Sequence, residues 1–263
     1  MRAVLIDLDG VVYTADRPVA GAAEAIARLV ERGVPHLFLT NTTSRPRAAL
    51  VEKLAALGVA TRAERILTPP VAARRWIERH APGPAALFVP PATAEEFGDL
   101  PRLAEGAEQG AASVVLGDLG KAWSFATLNR AFRLLMARPR PALVALGMTR
   151  YWRASDGLRL DVAPFVKALE HATGVEAVVL GKPAAGFYRA ALELLDCAAE
   201  QAVMVGDDIV GDVDGAQRLG IRGVLVRTGK FRPADLEGEI RPQAVLDSLA
   251  DLPSWWEAHG DDG

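Results

Sequence analysis

The chain has 263 residues, room for one large domain or two modest ones, and its 50% hydrophobic and 24% charged content is ordinary for a globular protein. Its 30 basic and 33 acidic residues leave a net charge of -3 with no basic block, which argues against a nucleic-acid partner. The single cysteine, Cys197, excludes an intramolecular disulfide; no apolar run is long enough to cross a bilayer, and Asp7 and Asp9 interrupt the one near the N-terminus. The expectation is a cytoplasmic protein without leader or membrane partner.

The first element is a strand through "AVLIDLD", in which Val4 to Ile6 form an apolar run of the kind buried on both faces of a parallel sheet. Asp7 and Asp9 stand two apart, so in extended chain they point to one side, and Gly10 lets the backbone turn after them. Two readings compete: a strand end followed by an Asp-Gly turn, or a metal or phosphoryl site. A helix through "GAAEAIARLVERG" closes at Gly33, a second strand reads "HLFLTN", and a second helix, "PRAALVEKLAALG", closes at Gly58. Pro69-Pro70 then marks a junction.

The next section has strands of its own at "AALFVP", "SVVLGD" and "PALVALG", and helices at "FATLNRAFRLLMA" and "APFVKALEHATG". Tyr151 and Trp152 read as core of this section, and Asp118 in "VVLGDLG" as surface. A strand "VVLGKP" resumes the first domain and delivers Gly181-Lys182-Pro183. "AVMVGDD" is a strand, "GDVDGAQRLG" a helix, "GVLVRTG" a strand, and "AVLDSLADLPSWWEAHG" a last helix in which Trp255 and Trp256 pack. Roughly 140 residues separate "HLFLTN" from "VVLGKP", against ~30 for a βαβ unit. The alternation predicts an α/β fold: a Rossmann-like parallel-sheet core formed by 1–70 and 180–263, with a smaller α/β cap, 71–179, inserted.

In open α/β sheets ligands bind outside the carboxyl ends of the strands. Asp7 and Asp9, Thr40 and Asn41, Lys182, and Asp207 and Asp208 with Asp212 are all expected there. Singly, each has a plainer use: a turn lysine, a helix cap, a solvated loop. Together they fit phosphoryl transfer through an attacking carboxylate, with a cation to bridge it to the phosphate dianion and oxygen ligands that suit Mg²⁺. Thr40 can donate to a phosphoryl oxygen and Lys182 can offset charge on the transferring group.

The D-x-D-G at Asp7-Leu8-Asp9-Gly10, the threonine Thr40, the lysine Lys182 and the acidic motif Gly206-Asp207-Asp208 with Asp212 resemble the haloacid dehalogenase superfamily of Mg²⁺-dependent phosphatases. That resemblance implies Asp7 as nucleophile and metal ligand, and Asp9 as general acid/base with its carbonyl on the metal. Asp207 becomes a direct ligand, and Asp208 and Asp212 orient the metal and its waters. Thr40, Asn41 and Lys182 hold the phosphoryl group. An insertion after Thr40 is similar to the NagD-type capped subgroup, whose members often pair through the cap, so a homodimer is an expectation of the resemblance alone. "GDDIVGDVDGAQ", "VRTGKFRP" and "RYWRASDGL" look like its branch of pyrophosphate and phosphoramidate phosphatases, but Gly147-Met148-Thr149 and "RLDVAP" depart from that branch where substrate would be chosen. The expected substrate is a small phosphomonoester, pyrophosphate or phosphoramidate; alternatives are a phosphotransferase or phosphomutase on the same core, or a non-catalytic regulatory protein.

Overall fold

The computed structural model describes residues 1–154 and 156–259. The chain divides into two compact units: Met1–Thr40, Arg47–Leu67 and Lys182 onward form one, and Asn41–Pro46 with Thr68–Gly181 the other.

The first unit opens with β1 (Ala3–Asp7), a small hairpin of β2 (Tyr13–Thr14) and β3 (Arg17–Pro18), helix α1 (Ala22–Glu31), β4 (His36–Leu39), α2 (Arg47–Ala56) and β5 (Ile66–Leu67). In α1 the residues Ala22, Ala25, Ile26 and Leu29 are buried, the spacing of a helix that lays one stripe on a sheet. Its end is closed by Gly33, at φ 67°, and by the Val34 N–H donating to Leu29 O at 2.9 Å, which satisfies carbonyls the helix leaves open.

The second unit carries α3 (Pro69–His80), β6 (Ala85–Phe88), α4 (Pro91–Glu95), β7 (Ser113–Leu116), α5 (Phe125–Met136) and β8 (Ala142–Ala145). An antiparallel hairpin, β9 (Tyr151–Ala154) and β10 (Gly157–Leu160), follows, then α6 (Val162–Thr173) and β11 (Ala177–Val179). Its parallel sheet runs β11-β8-β7-β6. Ala131, Leu134 and Leu135 of α5 and Val162, Val166 and Leu169 of α6 form its core with Val114, Leu116 and Leu143. The chain returns through α7 (Ala185–Leu195), β12 (Ala202–Gly206), α8 (Gly215–Gln217), β13 (Arg222–Val226), β14 (Ala244–Leu246) and α9 (Leu252–His259).

The first unit's sheet is parallel throughout, in the order β14-β13-β12-β1-β4-β5. The chain leaves β1 towards β4 and β5 on one side and later fills β12, β13 and β14 on the other, so the direction of winding reverses at β1. A crevice forms at such a reversal, beyond the carboxyl ends of the strands. Every residue of β1 is buried, as a sheet covered on both faces requires.

The architecture is the expected α/β fold, but four elements differ from the sequence reading. The Val178-Val179 run pairs with Val144 and Ala145 of β8, so this strand belongs to the second unit's sheet, not the first's. The helix expected over "GDVDGAQRLG" is a π-wound turn, Ile209–Asp214, that runs into the short α8. The last helix is confined to α9; Ala244–Leu246 is an edge strand, Trp256 is buried, and Gly260 lies outside the described residues. Tyr151 and Trp152, read as core, are 52% and 40% exposed because, among the described residues, β9 pairs only with β10. Ser155 of that hairpin also lies outside the described residues.

Candidate active site

Three neighbouring strands of the first unit set the site. β1 ends on Asp7, β4 is followed by Thr40, and β12 is followed by Asp207 and Asp208. One carboxylate oxygen each of Asp7, Asp207 and Asp212 lies within 4.8 Å of the others, and all three residues are buried. Asp212 reaches this group from the π-wound turn, whose first carbonyl, that of Asp208, accepts the Asp212 N–H at 2.9 Å.

Lys182 is buried against them. Its Nζ lies 2.7 Å from Asp7 Oδ1 and 2.6 Å from Asp212 Oδ1. Burial works against an ammonium, but the charges of Asp212 and then Asp7 outweigh it and hold Lys182 protonated well beyond its usual range. The sequence placed Lys182 at the end of a strand of this sheet. Instead it follows β11 of the other sheet and is the first residue of the returning segment.

The carboxylates respond in the opposite sense. Burial, reinforced by the charge of Asp7, lifts Asp212 to about 7 against the pull of Lys182. Burial also raises Asp7, with Asp207 adding and Lys182 opposing, and it raises Asp207, with Asp212 adding and the Lys230 N–H opposing. Asp208 goes the other way: the Gly211 N–H and the Lys230 ammonium overcome its burial and hold it low. Three buried carboxylates against one buried ammonium leave the cluster short of positive charge.

The hydrogen bonds divide the acids by task. Those on Asp7 fall on Oδ1, from the Leu8 N–H at 2.8 Å and from Lys182. Asp212 uses both oxygens, Oδ1 for Lys182 and Oδ2 for the Asp208 N–H at 3.2 Å. Asp208 caps the turn, accepting from Val210 N at 3.1 Å and Gly211 N at 2.8 Å, and its Oδ2 meets Lys230 Nζ at 3.2 Å. Asp207 accepts the Lys230 N–H on Oδ2 at 2.7 Å, while its Oδ1 is buried with no hydrogen-bond partner among the described residues. An orphaned carboxylate oxygen beside two other acids is a donor set for a hard divalent cation. The residues therefore fit a metal, with Asp7 and Asp207 as the acids that retain an oxygen for it.

Glycines make the close approach feasible. A Cβ on Gly10, whose φ is +88°, would sit 1.9 Å from Asp207 Oδ2, and one on Gly206 would sit 2.2 Å from Asp212 Oδ2. Asp9 is exposed, outside the carboxylate group, and bridges to Tyr13. Thr40 is buried, and its N–H donates to Leu67 O at 3.2 Å. Asn41 falls in the second unit, one residue along the chain from Thr40. Sequence reasoning gave no role to Thr228 or Lys230, although "VRTGKFRP" had stood out as a family-like segment. Thr228 Oγ1 donates to Gly10 O at 2.5 Å, and Lys230 contacts both Asp207 and Asp208.

Residues 4–99 match the model of the haloacid dehalogenase-like hydrolases, and residues 179–252 match a second, HAD-hydrolase-like model. Phospholysine phosphohistidine inorganic pyrophosphate phosphatase of Homo sapiens is 38% identical over 266 residues, covering 99% of this chain and 96% of that protein. The chain belongs to the haloacid dehalogenase-like hydrolases. The mouse haloacid dehalogenase-like hydrolase domain-containing protein 2 is 41% identical over 246 residues, 94% of this chain and 91% of that one. Among solved structures, a p-nitrophenyl phosphatase from Archaeoglobus fulgidus superposes with a TM-score of 0.85 at 26% identity, covering 97% and 98% of the two chains. NagD of E. coli K-12 shares the fold, with a TM-score of 0.85 at 22% identity over 95% of this chain and 98% of that one. This member of the haloacid dehalogenase family is thus an enzyme, a phosphatase. Among the described residues no helix is long and apolar enough to cross a membrane.

Proposed function

We propose that this phosphatase is Mg²⁺-dependent and cleaves a small phosphorylated compound through a covalent phosphoryl group on Asp7. The observation that carries the reading is the orphaned Asp207 Oδ1, buried within a carboxylate group that also contains Asp7. Asp7, the carbonyl of Asp9 and Asp207 would hold the cation, and Asp212 and Asp208 would orient it and its waters. Bound there, Mg²⁺ would offset the repulsion between the attacking carboxylate and the phosphate oxygens.

The chain's own groups supply the remaining chemistry. Asp7 attacks phosphorus, and the bond from phosphorus to the leaving oxygen or nitrogen breaks as Asp9 delivers its proton to that atom. Asp9 then takes a proton from water, whose oxygen attacks phosphorus. The Asp7–phosphorus bond breaks, inorganic phosphate leaves, and the free carboxylate returns. Lys182, already held as an ammonium against Asp7, offsets charge on the transferring group, with Thr40 and Asn41 as hydrogen-bond donors to it. The second unit would select the rest of the substrate.

The test is phosphate release from p-nitrophenyl phosphate, inorganic pyrophosphate, phospholysine, phosphohistidine and a set of sugar phosphates, each with Mg²⁺ and with EDTA. Phospholysine, phosphohistidine and pyrophosphate belong on the panel because the human relative's name contains them. Turnover with Mg²⁺, its loss in EDTA, and a phosphoprotein trapped by cold acid quench, cleaved by hydroxylamine and absent from Asp7→Asn are the expected results. EDTA-resistant turnover, or a fully active Asp7→Asn, would overturn the reading.

A further inference from the structure

Tyr188 lies in α7, fully buried, and its hydroxyl meets the carbonyls of two consecutive residues, Gly211 O at 2.7 Å and Asp212 O at 3.1 Å. A phenol has one proton to give, so these contacts form a three-centre bond whose shorter arm falls on Gly211. Buried tyrosines ordinarily find some partner for the hydroxyl. This one finds it in the π-wound turn Ile209–Asp214, which carries Asp212 into the carboxylate group. Winding of this kind is rare and occurs frequently at functional sites.

The segment that begins at Lys182 holds Asp212 at both ends. Lys182 Nζ binds the Asp212 carboxylate at 2.6 Å, and Tyr188, in the first turn of the following helix, binds its carbonyl. Pro183 fills the space between: a Cβ on Gly215, at the turn's end, would lie 2.7 Å from Pro183 Cβ, so the two segments touch without intervening side chain. Both oxygens of the Asp212 carboxylate are already committed, to Lys182 and to the Asp208 N–H. A shift of the Asp212 backbone therefore disturbs the lysine beside Asp7 and the loop that carries Asp207 and Asp208 together.

We propose that Tyr188 is a positioning residue of the active centre: its hydroxyl fixes the turn that presents Asp212, and through Asp212 sets the metal affinity of the Asp7–Asp207 pair. This rests on the Mg²⁺-dependent reading above. In Tyr188→Phe the ring still fills its pocket and only the three-centre bond is lost. The dissociation constant for Mg²⁺, read by calorimetry and by the Mg²⁺-induced shift in Tm without substrate, should weaken about tenfold, the size typical of losing a group that supports a metal ligand. The kcat should fall by a similar factor while KM for p-nitrophenyl phosphate stays within about twofold.

A Tyr188→Phe protein with lower Tm but unchanged Mg²⁺ affinity and kcat would overturn the proposal and leave Tyr188 as packing. A wild type that binds no Mg²⁺ would instead overturn the underlying reading and, with it, this one. If Tyr188→Phe does not fold, wild type labelled with 3-fluorotyrosine gives the answer. Its Tyr188 resonance, identified by eliminating Tyr13 and Tyr151 with phenylalanine, should move on Mg²⁺ addition with the midpoint of the Tm shift. A resonance that does not move would overturn the proposal.

Discussion

Lys230 and Asp207 are joined by a backbone hydrogen bond, the Lys230 N–H donating to Asp207 Oδ2 at 2.7 Å. The loop after β13 is thereby tied to the end of β12, and Gly229 lies at the closest point. With φ +61°, a Cβ there would sit 1.9 Å from Asp207 Oδ2 and 2.5 Å from the Cα of Gly10. Gly229→Ala should therefore displace Asp207, lowering kcat by about 10²-fold or more, since small misplacement of a reacting group costs that much. Gly33→Ala is the control: its φ is +67° but, its two chain neighbours aside, no atom of the described residues would lie within 4 Å of the new Cβ, so it should cost only the ~1–2 kcal/mol of left-handed strain and leave kcat intact. Steady-state rates and urea melts of the pair make the comparison; equal activity of the two variants would detach this loop from the site.

The buried ammonium of Lys182 makes a second prediction. It stands between Asp7 at 2.7 Å and Asp212 at 2.6 Å, so Lys182→Met leaves these two buried carboxylates without the ammonium that pairs with them. Breaking such a group from one side costs about 3–5 kcal/mol. Urea unfolding in EDTA should register a loss of that size, and Mg²⁺ should restore part of it while turnover stays absent. An unchanged midpoint in EDTA would mean that the carboxylates are already protonated.

Much of this site was legible because its chemistry sits in side chains at strand ends: Asp7 and Asp9 interrupt an apolar strand that has no structural use for them, and Asp207, Asp208 and Asp212 do the same after β12. What was not legible depends on pairing between distant segments. Val178 and Val179 read as a strand of the first unit's sheet, and only their pairing with Val144 and Ala145 assigns them to the second's. Tyr151 and Trp152 look like core by composition, but a two-stranded hairpin offers them no second layer. The Lys230 contribution to Asp207 comes from a backbone N–H, which every residue except proline possesses and which leaves no mark in the sequence. Sequence reasoning gave Tyr188 no role; its hydroxyl acquires meaning only from the π-wound turn beside it.

Asp9 can be separated from Asp7 kinetically. It is exposed and lies outside the carboxylate group, so Asp9→Asn should leave fold and metal binding nearly unchanged. p-Nitrophenolate departs without needing a proton, so the first step with that substrate is largely spared. The second step, which needs a base for water, should slow by about 10²–10⁴-fold. Stopped-flow measurement should then record a burst of one nitrophenolate per active site followed by slow turnover. A steady rate equal to wild type, with no burst, would remove Asp9 from the mechanism.

The raised carboxyls predict opposite pH trends for the metal-free and metal-bound protein. Asp212 is lifted from 3.8 to about 7, and burial raises Asp7 and Asp207 as well. In the interval the folded protein holds protons that the unfolded chain has released, so stability falls as pH rises. For Asp212 this penalty is absent below about 3.8 and complete above about 7. In EDTA, acidification from about pH 8 to about pH 5 should therefore favour the wild type's Tm over that of a chain without this carboxyl. Asp212→Asn supplies the reference for that: it lacks the carboxyl, and its Tm should gain less over the same range. A divalent cation needs the carboxylates deprotonated, so the Tm increment on adding Mg²⁺ should grow from about pH 5 to about pH 8. An increment independent of pH across this range would place the cation on other ligands.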